Sequence, residues 1–255
     1  MNNVYVTLLS SKEYLVPVLV LNRNLKQLNC QYPLFVLVTN NIALDVCAYL
    51  QKEDIPYEIV PRIKYSPMTI DRWQLTYPTI LNTASKIHLF NLPFYKVVYI
   101  DADSFFFISP DELFEKPDGS MYEDADNGQG LSGLFVCHPW CHPFEQYKFL
   151  IENTYITDGD LLNDLWFVYK TNPAYHISFE WLVDLVYIND NTQLDTIKGL
   201  HFCYKYKPWY YNTSEDYLAD FSKKFPPPDT NTKRKFLADK YINEYANPIK
   251  QKFDL

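Results

Sequence analysis

The chain has 255 residues, enough for one large domain or two small ones, with a 47% hydrophobic share and a formal net charge of −8. That charge argues against a protein that grips duplex nucleic acid, whose affinity rests on a basic face that neutralises phosphates. The longest apolar stretches, around Tyr14 to Leu21 and Val97 to Ile100, fall far short of a bilayer span, and the first contains Pro17.

From the amino end, Val4 to Leu9 reads as a buried strand, and Ser10-Ser11 is placed to cap a helix over roughly Glu13 to Leu28. Leu34 to Val38 follows as strand, Ala43 to Lys52 as helix and Tyr57 to Val60 as strand; a helix from about Pro78 to Phe90 leads into the strand Val97 to Ile100. Continuous apolar strands alternating with amphipathic helices indicate an α/β domain with a mainly parallel sheet covered on both faces. Beyond Ser104 the pattern loosens: Phe105 to Phe107 suggests a short strand, Pro110 to Phe114 a helical turn and Leu131 to Cys137 another strand, with helices at about Pro143 to Asn153 and Gly159 to Tyr169. Pro226-Pro227-Pro228 is a rigid break. It divides an expected catalytic domain, residues 1–225, from a basic helical tail, residues 226–255, expected to pack on or near that domain or to serve a homodimer contact.

The apolar run Val97-Val98-Tyr99-Ile100 ends in Asp101-Ala102-Asp103-Ser104. Alternation along an extended chain points Asp101 and Asp103 the same way, and Ala102 leaves room against the backbone. Such a pair grips a hard divalent cation, or else forms a solvated turn. In parallel sheets ligands sit at the carboxyl ends of the strands, where this pair falls. Further on, His201 offers an imidazole that either completes a metal shell or is an ordinary satisfied histidine, and Lys207 offers a point charge for a phosphate. The segment Cys137-His138-Pro139-Trp140-Cys141-His142 has no second ligand pair after it and suits a strand-to-helix corner better than zinc.

In order along the chain, Val6 to Ser10 with Tyr14, Leu37-Val38-Thr39, Ser85-Lys86-Ile87, Val97 to Asp103, Asp111 to Phe114, Ser132 to Val136, Asp158 with Leu161-Leu162-Asn163, and His201-Phe202 with Lys207-Pro208-Trp209 resemble the family 8 glycosyltransferases, the group that contains glycogenin. The resemblance covers about Val4 to Trp209. It implies a nucleotide-sugar-binding sandwich of GT-A type, a Mn²⁺ or Mg²⁺ ion, a UDP-sugar donor, and transfer of a hexose, glucose first among them, with retention. It further implies that Asp101, Asp103 and His201 ligate the metal. Lys207 would hold the leaving diphosphate, and Leu8, Ser10, Ser11, Tyr14, Lys86, Ala102, Ser132 and Gly133 would line the donor. Asp158, the carboxylate beside the sugar, and Lys207 would be the catalytic residues. A UDP-sugar-binding protein with degraded catalysis, or a UDP-sugar hydrolase, is the alternative. Three positions depart from the family pattern: Leu131 stands where Asn or Asp is usual, Gly159 replaces an amide with Asp160 adding a carboxylate, and Tyr204 replaces a glycine. Asp160 is expected to cap the helix that follows. The start Met1-Asn2-Asn3 lacks a signal peptide's basic segment, and five scattered cysteines suit reduced thiols, so a cytoplasmic location without a membrane or nucleic-acid partner is expected.

Overall fold

A computed structural model describes residues 2–73, 80–123, 130–165, 171–202, 205–226 and 232–255. In chain order these hold β1 (Asn3–Leu9), α1 (Leu15–Gln27), β2 (Leu34–Thr39), α2 (Ala43–Lys52), β3 (Tyr57–Val60), α3 (Pro67–Trp73), a 3₁₀ segment (Ile80–Asn91), β4 (Lys96–Ile100) and β5 (Ser104–Phe106). They continue with β6 (Met121–Glu123), β7 (Gly130–Cys137), α4 (Phe144–Asn153), α5 (Asp158–Leu165), β8 (His176–Ile177), β9 (Val183–Asp184) and β10 (Gly199–His201). Helices at Ser214–Lys224, Thr232–Tyr241 and Asn247–Phe253 follow, the last two joined by a π-helical turn at Ile242–Ala246. The chain forms two compact units: Met1–Leu15 with Gln31–Ala102 and Pro110–Phe179, and Val16–Cys30 with Asp103–Ser109 and Glu180–Leu255.

The first unit is built on a seven-stranded sheet in the order β3-β2-β1-β4-β7-β6-β8. β1 runs parallel to β2 and β4, as the near-continuous burial of these three strands suits, and β2 runs parallel to the edge strand β3, whose Glu58 and Ile59 are exposed. β7 is antiparallel to β4 and to β6, so the sheet is mixed on that side. Val4, Val6, Ile87, Val97, Tyr99 and Phe135 share one buried apolar cluster, which fixes the 3₁₀ segment Ile80–Asn91 with the central strands. The 3₁₀ geometry replaces the α-helix expected from Pro78, and Pro78 and Thr79 lie outside the described residues. Ser11 takes the extended backbone of a capping residue but its hydroxyl caps nothing, because the short 3₁₀ turn Lys12–Tyr14 separates it from α1.

The second unit carries a three-stranded sheet in the order β5-β10-β9. β5 starts one residue before the expected Phe105 because its antiparallel register sets Ser104 opposite His201. The basic carboxyl-terminal segment belongs to this unit. Phe202 packs edge-on against Tyr241 and Phe105 against Tyr245, each with ring centroids 4.7 Å apart. The buried Arg234 guanidinium donates to the carbonyls of Val186, Ile188 and Phe225, so a charge that could not be buried alone closes the loop after β9. Of the three prolines of the expected break, Pro227 and Pro228 lie outside the described residues. Among the described residues no helix is long and apolar enough to cross a membrane.

Gly199 opens β10 where a Cβ would lie 2.4 Å from the Trp181 carbonyl oxygen and 3.0 Å from that of Phe105. Both obstacles are backbone and cannot swing aside. Gly199→Ala is therefore expected to lower stability by about 2 kcal/mol, read as a lower urea midpoint; an unchanged midpoint would contradict this packing.

Candidate functional site

In the first unit the strand register brings the expected donor residues to one sheet end. Val6 pairs with Tyr99 across the parallel β1 and β4, so Leu8 and Asp101, two residues on, fall level with each other. Ser10, Ser11 and Tyr14 follow β1, and Asn82 Nδ2 donates to the Ser10 carbonyl at 3.3 Å. Antiparallel pairing of β4 with β7 sets Ile100 opposite Leu134, and the Asp101 N–H then donates to the Gly133 carbonyl at 2.8 Å. Ser132 is thereby delivered beside the end of β4.

α5 supplies Asp158. Its start is a capping box: the Thr157 N–H and hydroxyl donate to the Asp160 carboxylate at 2.9 Å each, and the Asp160 N–H donates back to Thr157 Oγ1 at 3.1 Å. Asp160 thus serves the backbone, as its place three residues after Thr157 suggests. Asn163 ties the helix to β7, accepting from the Gly130 N–H at 3.2 Å and donating to the Gly130 carbonyl at 2.6 Å. The result sets Asp158 against Ser132.

Between these carboxylates lies the Lys86 ammonium, only 2% exposed. Its Nζ is 2.9 Å from Asp158 Oδ2 and 3.4 Å from Asp101 Oδ1, and it also donates to Ser132 Oγ at 3.1 Å and the Ser132 carbonyl at 3.2 Å. Burial works against its charge, but Asp101 and Asp158 outweigh burial and raise its pKa. Tyr99 backs the cluster, donating to Asp101 Oδ1 at 2.9 Å with Lys86 Nζ 5.0 Å from its ring centre. Burial alone would raise the Asp158 carboxyl; Lys86, with donors Tyr65 and Ser132, reverses that and holds it at about 2. Tyr65 and Thr83, which donate to Asp158 Oδ1, carry no sequence motif that marks them.

In the second unit, the pairing of His201 with Ser104 sets the imidazole beside Asp103. His201 Nε2 is 3.2 Å from Asp103 Oδ1, Lys207 Nζ is 2.7 Å from Oδ2, and the Phe202 N–H donates to the Asp103 carbonyl at 3.0 Å. Lys207 also donates to the Phe202 carbonyl. Burial pushes the Asp103 carboxyl up, and Lys207 with His201 pull it well below the usual carboxylate range. A buried carboxylate oxygen at hydrogen-bond distance from an imidazole nitrogen is a donor pair that suits a divalent ion such as Mn²⁺.

Leu131 is 40% exposed on β7, and Gly159 has open space around its Cα, a Cβ there meeting only Thr157 Oγ1 at 3.7 Å. Cys203 and Tyr204 lie outside the described residues. The Cys137-to-His142 corner supplies no three-ligand group among the described residues; instead the His138 N–H donates to Asp118 Oδ1 at 2.7 Å, and His142 Nε2 lies 3.5 Å from the same oxygen.

No family model matches the chain. It is 26% identical over 225 residues to a glycogenin of Neurospora crassa, covering 81% of this chain and 31% of that protein. It is 28% identical over 182 residues to glycogenin-1 of Caenorhabditis elegans, covering 69% of this chain and 42% of the relative. The chain thus spans less than half the length of these relatives. In fold it resembles the glycosyltransferase GlyE of Streptococcus pneumoniae, with a TM-score of 0.53 at 15% identity over 82% of this chain and 57% of that one. The architecture is that of the GT-A glycosyltransferases. In sequence the chain is thus similar to glycogenins, and in fold to a glycosyltransferase.

The Asp158 carboxyl, held below its unfolded value near 3.9, contributes stability above about pH 4 that is lost as pH falls through about 2. The contribution is on the order of 2 kcal/mol. Asp158→Asn is expected to flatten that part of the stability profile. It also removes one of the carboxylates around a buried ammonium, at a cost of about 3 kcal/mol at pH 7. Urea midpoints from pH 6 to pH 2.5 check this, and parallel curves for the two proteins would refute it.

Proposed function

We propose that the chain is a metal-dependent, retaining hexosyltransferase that moves a hexose, glucose in the first instance, from a UDP-sugar to a carbohydrate, protein or small-molecule acceptor in the cytoplasm. The observation that carries this reading is Asp103, a buried carboxylate set against His201 Nε2 and Lys207 Nζ, with a second carboxylate, Asp101, one residue before it in the chain. The similarity to glycogenins supports it. On this reading Asp101, Asp103 and His201 hold Mn²⁺, or Mg²⁺ in its place, and Leu8, Ser10, Ser11 and Tyr14 receive uridine and ribose. Ala102, Ser132 and Gly133 line the donor. Such an ion, when bound, supplies positive charge for diphosphate oxygens as the glycosidic bond breaks. Lys207 adds a point charge for the leaving UDP, and Lys86 presents a fixed cation at the sugar end with Asp158.

The apolar Leu131 and the bare Gly159 favour a second reading, a UDP-sugar-binding protein with degraded catalysis. Calorimetry separates these from an unrelated function. UDP is expected to bind in the presence of Mn²⁺ and to lose at least about tenfold in affinity in Asp103→Ala, a charged contact being worth about 1.5–3 kcal/mol. No binding, or equal binding by the variant, overturns the proposal. UDP-glucose turnover, with mass spectrometry of the protein itself for attached hexose, then separates transfer from inert binding.

A further inference from the structure

We infer that Tyr65 is a positioning residue for Asp158, and that Asp158 acts as a fixed carboxylate that holds Lys86 and Ser132 rather than as the group that attacks or takes a proton at the sugar. The inference deepens the transferase reading and, where it concerns turnover, rests on it. An ionised carboxylate accepts through two oxygens with about four lone-pair sites. At Asp158 both oxygens are taken from opposite sides. Oδ1 faces the Tyr65 hydroxyl and Thr83 Oγ1, the latter at 3.2 Å, while Oδ2 receives Ser132 Oγ at 2.8 Å and Lys86 Nζ at 2.9 Å. Tyr65 is itself held, since its Oη lies 2.8 Å from Thr83 Oγ1 and accepts from the Asp158 N–H at 3.4 Å. Both Tyr65 and Asp158 are buried, at 4% and 6% exposure.

A nucleophile needs a free lone pair aimed at its target, and a general base needs a proton affinity matched to the working pH. At Asp158 each oxygen already faces a protein donor and the carboxyl is held at about 2, which suits a fixed charge better than either role. What these neighbours do fix is its position and charge, and through them the Lys86 ammonium and the Ser132 hydroxyl. The charged and titratable groups around it are Lys86 from the 3₁₀ segment, Tyr65 from the loop after β3 and, beyond Lys86, Asp101 at the end of β4. Tyr65 reaches Asp158 through its only polar side-chain atom, and Phe at that position keeps the ring and removes that atom alone.

The test compares wild type with Tyr65→Phe by two readouts. Carbon NMR of aspartate side-chain carboxyls, with the Asp158 signal assigned through Asp158→Asn, is expected to show the midpoint rising by about one pH unit in Tyr65→Phe. UDP-glucose turnover is expected to lose about tenfold in kcat with KM within about twofold of wild type, because the donor still binds while the fixed charge at the sugar is loosened. Should Tyr65→Phe fail to fold by circular dichroism, Thr83→Val removes the neighbouring donor and is read in the same way. An Asp158 signal unmoved in the variant overturns the positioning role. A hexose ester trapped on Asp158 in mass spectrometry overturns the fixed-carboxylate role. The titration needs no donor, so a protein that turns over no UDP-sugar sinks the transferase reading while the Tyr65–Asp158 pairing is still decided by NMR.

Discussion

The burial of one ammonium group organises the first unit. Lys86, at 2% exposure, gives up nearly all its water, and an isolated charge so placed would shed its proton or prevent folding. It stays charged because a carboxylate arrives from the end of β4, another from the first turn of α5, and a hydroxyl with a carbonyl from β7. Three elements distant in sequence must therefore meet at one point. The capping box at Thr157 and the Asn163 clasp on Gly130 make α5 start where that point lies. Replacing such a buried ionic group by apolar side chains would often cost little stability. The cluster is thus better understood as a means of holding charge in fixed directions than as a source of stability.

The second unit repeats the device with other residues. Asp103 is buried between Lys207 and His201, and the strand that follows it, β5, is held by β10, whose first residue has to be glycine to pass the backbone of Trp181. Asp101 and Asp103 thus each engage a buried lysine, and one alanine joins them in the chain. In a protein whose net charge is −8, positive charge for an anionic ligand cannot come from the average surface. On the proposed reading it has to be local, and these two lysines, each reserved by a carboxylate, would supply it without exposing loose cations.

Much of this was legible in the sequence because it rests on pattern. Strands β1, β2 and β4 are mostly apolar, buried runs, and Asp101 and Asp103 stand out because charge follows the last of them abruptly. Asp160 as a cap could be read because capping depends on residues only three apart. What escaped depends on distant partners. α3 has seven residues, too few to show periodicity, and β8, β9 and β10 have two or three residues each and exist as strands through their pairing alone. Tyr65 looked like one tyrosine among 22, since its hydroxyl acquires a role only through a carboxylate 93 positions away. Ser11 failed as a cap for a local reason, a 3₁₀ turn inserted before α1.

On the proposed reading, the same economy of donors bears on how finely a sugar is recognised. Strong discrimination between sugars that differ in one hydroxyl comes from buried polar groups left unpaired by the wrong ligand, whereas an apolar contact separates close analogues by only about 10- to 200-fold. Here Asp158 spends its acceptor capacity on Tyr65, Thr83, Ser132 and Lys86. Leu131 offers a half-exposed apolar surface and Gly159 no side chain at all. On this reading the polar atoms around Asp158 are committed to one another, fixing charge for a departing diphosphate rather than reading hydroxyls. The physical expectation is a site strict about the diphosphate and more tolerant of the hexose, with acceptor contacts left to supply what selectivity the sugar side lacks.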